Sequence, residues 1–250
     1  MIRSKTKGTD MRQDGRLANG IRNIKITPNF IKYADGSCLM EMGDTCVVCT
    51  ASVEDGVPRF LRGKGTGWIT AEYGMLPASC QGRVSRESTK GKKTGRTHEI
   101  QRLIGRSMRL ACNMDLLGEK TVWLDADVLQ ADGGTRCASI TGSFVALALA
   151  FNKLKKRGSI EVIPLTHFIA AISVGIVDGK ADLDLAYEED SRAEVDMNVV
   201  MTDSGEFVEV QGTAEGAAFS RDDMDKMIGL AQTGIIRLIK AQKEVLDIKS

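Results

Sequence analysis

Histidine is scarce: His98 and His167 are the only two. A histidine-rich metal site or a histidine-based triad therefore has few candidates, and His167, beside an apolar strand, reads as structural. No G-x-x-x-x-G-K-[ST] occurs, which excludes a Walker A loop. No apolar run approaches the length of a membrane span. The start, Met1-Ile-Arg-Ser-Lys-Thr-Lys7, lacks the apolar core of a secretory signal. Six cysteines (Cys38, Cys46, Cys49, Cys80, Cys112, Cys137) are scattered along the chain, the pattern of reduced, mostly buried thiols in a cytoplasmic protein. Cys46 and Cys49 lie in a strand-like run that sends their side chains to opposite faces, which argues against a redox or zinc pair.

What is present begins with Asp132-Gly133-Gly134-Thr135-Arg136. A β-like run, Thr121–Leu129, precedes it, and a long apolar helical run, Phe144–Leu154, follows. Gly133 and Gly134 therefore sit at a strand-to-helix turn and let the backbone approach a ligand. The first helical N–H groups have no intrahelical partner and face whatever occupies the turn. Arg136 adds a guanidinium suited to phosphate oxygens. Together these make an anion site, or else a tight turn with a surface arginine. Gly95-Arg96-Thr97 precedes a second helix with Ile100, Leu103, Ile104, Met108 and Ala111 at helical spacing and Thr97 as its N-cap. Two arginines at two helix starts could converge on one dianion.

The near-neutral net charge of +1 hides two poles. From Arg83 to Arg109 nine cations face only Glu87 and Glu99; this pole suits a polyanion. From Asp178 to Glu215 the chain is strongly acidic. Asp182 and Asp184 alternate with core-facing Leu183 and Leu185. Glu188-Glu189-Asp190 makes a turn, and Asp196 and Asn198 lie on the polar face of the return strand. Carboxylates gathered by such a hairpin bind a hard cation, hold a raised pKa for acid–base work, or simply face solvent.

The order of elements is strands then helix, twice over. Residues 1–10 read as a flexible basic extension. Ala34–Glu54 forms two strands about Met42-Gly43-Asp44, Trp68–Leu76 another, and Pro77–Gly95 a long basic loop of the kind that carries function. Phe168–Val177 is a strand buried on both faces; Ala181–Tyr187, Glu194–Met201 and Glu206–Val210 form a meander. Ser220 to Asp223 is a capping box opening an amphipathic helix. Gly36–Ser52 and Gly179–Met201 share a strand–acidic turn–strand shape. With no Pro- or Ser-rich linker, the expectation is an α/β (α+β) fold: duplicated β-α halves, about 11–118 and 119–250, with mixed sheets and helices in a single compact domain.

Several segments, in order from Met11 to Lys243, resemble the ribonuclease PH family of phosphorolytic 3′-exoribonucleases, its bacterial type in particular. They are Met11-Arg-Gln-Asp-Gly-Arg16, Gly56-Val-Pro-Arg-Phe-Leu-Arg62, Gly67–Pro77, Gly95-Arg-Thr-His-Glu-Ile-Gln-Arg102, Asp127–Arg136, Glu189-Asp-Ser191, Asp196-Met-Asn198 and Val210–Gly216. The resemblance implies phosphate-dependent trimming of the 3′ ends of tRNA precursors. Nucleoside diphosphates are released, and the reverse reaction adds nucleotides. It implies inorganic phosphate as co-substrate, Mg2+ (or Mn2+) as cofactor, and a homohexamer, a trimer of dimers. It places phosphate binding on Arg96, Thr135 and Arg136, beside Gly134 of the turn; catalysis and metal on Asp184 and Asp190; and RNA contacts on Arg83 and Arg86. Leu76-Pro77-Ala78 stands where family members usually have Leu-Pro-Arg, which implies one RNA-binding cation fewer. The rival reading is a non-catalytic RNA-binding ring subunit of an exosome-like assembly. Such a subunit is expected to have lost the phosphate turn or the carboxylates, and both are present.

Overall fold

The structure is a computed structural model that describes residues 11–248; the basic extension expected over 1–10 lies outside the described residues. Two sheets enclose one long helix. The first sheet has strands β1 (Ile24–Pro28), β2 (Gly36–Met42), β3 (Thr45–Asp55), β4 (Trp68–Met75) and β5 (Lys120–Gln130), in the order β1-β2-β3-β5-β4. Only β4 and β5 pair in parallel. The short helix α1 (Glu87–Lys90) and then α2 (Gly95–Leu110) connect them. The second sheet is antiparallel: β6 (Ile169–Val177), β7 (Lys180–Leu183), β8 (Val195–Thr202) and β9 (Phe207–Ala214), in the order β7-β6-β8-β9.

Between the sheets runs α3 (Thr135–Lys156), packed on β2 and β3 on one side and on β6 on the other. By length and composition alone it could cross a membrane, but 83% of its apolar stretch is buried inside the protein. It is apolar all round because it is surrounded. The approach to β2 is so close that a Cβ on Gly36 would stand 2.0 Å from the Ala146 carbonyl oxygen. The helix α5 (Arg221–Val245), capped by Ser220, covers β6 and β7. With α3 below and α5 above, every residue of β6 is buried, as its unbroken apolar run requires. Buried Gln242 of α5 donates to the carbonyls of Thr141 and Ile169 at 3.0 and 2.9 Å, tying the three elements together.

Three local expectations change. The N-cap of α2 is Thr94, whose hydroxyl accepts from the Thr97 N–H; Thr97 lies inside the helix and donates to Glu87 at 2.7 Å. The strand expected over Ala181–Tyr187 ends at Leu183, because Asp184 takes a left-handed conformation (φ 56°) and turns inward. The chain then runs through α4 (Tyr187–Asp190). Finally, β7 and β8 are not neighbours: β6 lies between them, so the acidic segment is a crossing and not a two-stranded hairpin. Beyond residue 118, β5 joins the first sheet between β3 and β4.

Candidate active site

The end of β5 and the start of α3 are joined by Asp132-Gly133-Gly134, with φ of 74° at Gly133 and 64° at Gly134. A Cβ on Gly133 would lie 2.4 Å from the Leu185 carbonyl oxygen, so this turn rests directly on the segment before α4. Thr45 pins it: its hydroxyl donates to the Gly133 carbonyl at 2.7 Å and accepts from the Asp132 N–H at 2.9 Å. The Tyr187 N–H donates to the Asp132 carboxylate at 3.2 Å. No side chain caps α3, so its first N–H groups stay open to an anion.

Arg136 stands in that first turn. It donates to Gln211 on β9 at 2.5 Å and to Glu99 on α2 at 3.2 Å, which fixes its reach. Arg96 stands in the first turn of α2, exposed and with no hydrogen bond or ion pair among the described residues. Tyr73 lies between the two helix starts, its hydroxyl 3.0 Å from the Thr135 hydroxyl. Burial pushes the phenol pKa up, while the Thr135 bond, Arg96 and Arg136 pull it down. Both guanidiniums therefore act on the one site, and Arg96, Gly134, Thr135 and Arg136 come together there.

The expected acidic pair divides. Asp190 faces the arginines: burial raises its pKa, and Arg96, Arg136 and Arg22 oppose the rise. Asp184 does not share this face. It is fully buried, its Oδ2 accepts from the Arg22 N–H and Nε at 2.7 and 3.0 Å, and its Oδ1 accepts from Arg22 Nη2 at 2.7 Å. Arg16 stands 3.4 Å from Oδ2. This carboxylate is engaged in a buried ion pair with Arg22 and Arg16.

Asp196 lies within reach of the Asp190 charge. Burial and the Asp190 charge push its pKa up to about 6, against the pull of Arg136, Asn198 and Arg96. Its Oδ2 accepts from Asn198 Nδ2 at 3.4 Å; its Oδ1 is buried without a partner. The thiol of Cys137, in the first turn of α3, donates in turn to Asn198 Oδ1 at 3.2 Å. Alternation on β8 put Asp196 and Asn198 on one face, but nothing in the sequence showed which face met Arg136. Among the described residues no group of three or more histidine, cysteine, aspartate or glutamate side chains could hold a metal ion. A cation here would have two protein carboxylates, Asp190 and Asp196.

The basic loop leads to the same place. A cleft of ≈600 Å³ is lined by Arg86, Lys92 and Lys93 of the loop, by Tyr73 and Asp127, and by Arg96. Arg83 and Arg86 are exposed and without partners among the described residues. The arginines further along α2 do other work: Arg106 pairs with Glu209 of β9, and Arg109 donates to the Ile69 carbonyl and stacks on Trp68 at 4.5 Å.

Known proteins share this sequence and fold. Models of the 3′ exoribonuclease family match twice, its domain 1 over residues 20–151 and its domain 2 over residues 167–234. A curated relative from Syntrophomonas wolfei, named ribonuclease PH, is 59% identical over 237 residues, covering 95% of this chain and 99% of the relative. The crystal structure of rice (Oryza sativa) Rrp46 superposes with a TM-score of 0.76 at 20% identity, covering 94% of this chain and all of that one. The Archaeoglobus fulgidus exosome with RNA bound to the active site superposes at 0.78 and 22% identity, covering 92% of each chain. At those identities the structures speak for the fold, and the sequence matches speak for the family. Family models spanning both sheets and a relative this close leave one assignment: the chain belongs to the ribonuclease PH type of the 3′ exoribonuclease family.

Proposed function

We propose that inorganic phosphate binds between the first turns of α2 and α3, held by Arg96, Gly134, Thr135 and Arg136, and attacks the last phosphodiester bond of an RNA. The carrying observation is the convergence of two arginine-bearing helix starts on Tyr73 and Thr135. Family membership supplies the activity. The chain is a phosphate-dependent 3′ to 5′ exoribonuclease that trims tRNA precursors, releases nucleoside diphosphates and, in reverse, adds nucleotides.

In the forward step a phosphate oxygen bonds to the phosphorus of the terminal nucleotide. The bond from that phosphorus to the preceding 3′ oxygen breaks, and that oxygen takes the proton that the attacking hydrogenphosphate gives up. Charge spreads over the oxygens around phosphorus and must be met by fixed donors. Arg96 and Arg136 supply guanidinium charge, and the α3 N–H groups supply aligned dipoles. Asp190 and Asp196 suit a divalent cation: burial pushes both carboxyls up, the Asp190 charge pushes Asp196 further, and Asp196 keeps an unpartnered buried oxygen. Mg2+ or Mn2+ held there would offset charge on the phosphate oxygens. Asp184 supports the pair from behind. Arg83 and Arg86 meet the RNA backbone.

The active assembly in this reading is a homohexamer, a trimer of dimers, working in the cytoplasm. Its support is the family relationship and the exosome structures among the fold neighbours. A purely RNA-binding ring subunit is disfavoured, because the phosphate turn, both arginines and Asp190 are in place. The deciding experiment degrades a tRNA precursor with and without inorganic phosphate and identifies the products. Diphosphates that appear only with phosphate are expected; monophosphates, or indifference to phosphate, would overturn the reading.

A further inference from the structure

The Met11–Arg16 segment and Arg22 take no part in holding phosphate, yet they converge on the back of its site. Arg22 is 8% exposed. One side of its guanidinium bonds both oxygens of Asp184, at 3.0 Å from Nε and 2.7 Å from Nη2. The other side bonds the Asp132 carbonyl and approaches the Gly133 carbonyl at 3.5 Å. A single side chain thus joins the acidic segment to the phosphate turn. Arg12 and Arg16 buttress the same segment: Arg12 donates to Glu189 at 2.7 Å and to the carbonyl of Asp184 at 3.0 Å, and Arg16 donates to that carbonyl at 2.9 Å. The Arg22 stem has one lane, since a Cβ on Gly43 would come within 2.6 Å of its Cδ.

The direction of these bonds matters. Carbonyls of Asp132 and Gly133 that point back into Arg22 turn the N–H groups at the other end of the same two trans peptides, those of Gly133 and Gly134, away from it, toward the open start of α3. A planar fork with five donors can serve a carboxylate and two carbonyls together; a lysine ammonium cannot. Asp190 rides on the same acidic segment, six residues after Asp184. We propose that Arg22 is a positioning residue: it locks the phosphate turn to the acidic segment, so that the turn that opens α3 and Asp190 address one phosphate. The inference rests on the phosphate site proposed above and adds the residue that sets its geometry.

The test is steady-state phosphorolysis of a tRNA precursor with phosphate and RNA varied separately. It compares wild type, Arg22→Lys and Arg22→Met, with Arg136→Ala as a reference for the site itself. Binding of inorganic phosphate without RNA is read by calorimetry, and folding by circular dichroism and thermal melts. Arg22→Lys is expected to fold, to lose about 10²-fold in kcat/KM for phosphate, as small misplacements of reacting groups do, and to leave the KM for RNA unchanged. Phosphate affinity falls with it. Adding Asp184→Asn to Arg22→Lys costs little more, because the two changes break one connection. A folded lysine variant with wild-type phosphate kinetics overturns the proposal. So does an equal loss toward RNA and phosphate, or a lower melting temperature with normal kcat/KM. If the methionine variant does not fold, the lysine variant decides; if neither folds, the residue is structural only and the proposal fails. Wild-type phosphate kinetics in Arg136→Ala would instead overturn the phosphate site, a failure visible apart from any result at Arg22.

Discussion

Arg136 and Asp184 are both charged, one at the proposed phosphate and one behind it, and a neutral substitution should tell them apart. Arg136 is held by Gln211 and Glu99 at the edge of the site, so its removal empties one place without opening the core. Arg136→Ala is expected to lower phosphorolysis by about 10²–10³, the usual effect of losing one transition-state donor. Thermal stability and RNA binding stay near wild type; undiminished turnover at limiting phosphate would refute the role. Asp184→Asn leaves the buried Arg22 guanidinium only the half-exposed Asp132, at 3.6 Å, as counter-charge; breaking a buried pair in this way costs up to about 3–5 kcal/mol. Asp190→Asn removes a half-buried charge whose pKa is already raised; it should abolish turnover with no loss of stability. Denaturant melts of the two asparagine variants check the contrast, and equal stabilities would mean that Asp184 is not the anchor. The sequence disclosed the glycine turn because turn chemistry is local, residue by residue. It did not disclose the fate of Asp184, because the partner that claims it is 162 residues away in the chain.

Among the elements, the short crossing from β7 through α4 is where sequence and structure part. Alternation marked Ala181–Tyr187 and Glu194–Met201 as extended, and β8 is indeed a strand. Alternation cannot say which strands pair, and here β6 separates them. By contrast α3, α5 and β6 were legible, since their apolar patterns are long and their burial follows directly. The crossing is held by buried charge as well as by the buried Leu183 and Leu185. Glu189 has a side chain 7% exposed and accepts from Arg12, which is 4% exposed. Burial pushes the Glu189 carboxyl up, but the bond from Arg12 and the charges of Arg12 and Arg16 outweigh it and leave it below its ordinary value. A carboxyl depressed on folding contributes stability above its unfolded pKa, about 4.3, and loses that contribution as pH falls through the lower folded value. Glu189→Gln should therefore melt well below wild type above about pH 5, and the gap should close as both are taken below about pH 4. A gap independent of pH would assign the loss to packing and not to the ion pair.

Across the whole molecule the charge is sorted, and the sorting points RNA toward the phosphate. The two anions within the basic stretch are occupied elsewhere: Glu87 accepts from the Thr94 N–H and the Thr97 hydroxyl at the start of α2, and Glu99 accepts from Arg136 and Gln211. Neither neutralises Arg83 or Arg86, which stand exposed beside the cleft that ends at Arg96. No aromatic side chain lies between Arg83 and Lys93, so the loop meets phosphates and not stacked bases. Ala78 is exposed and offers no charge, which leaves more of the work to the remaining arginines. Arg83→Ala combined with Arg86→Ala is therefore expected to raise the KM for RNA and leave the KM for phosphate unchanged. Each cation withdrawn from the backbone of a single strand should reduce the slope of log affinity against log salt by roughly 0.7, so the pair together should flatten it by about 1.4. Because cations on the backbone position the strand without reading its bases, the weakening should be the same for RNAs of different 3′ sequence. Titrations of a labelled single strand at several salt concentrations, alongside kinetics at varied phosphate, measure both quantities. A rise in the phosphate KM would move these arginines into the phosphate site, and an unchanged salt slope would remove them from the RNA path.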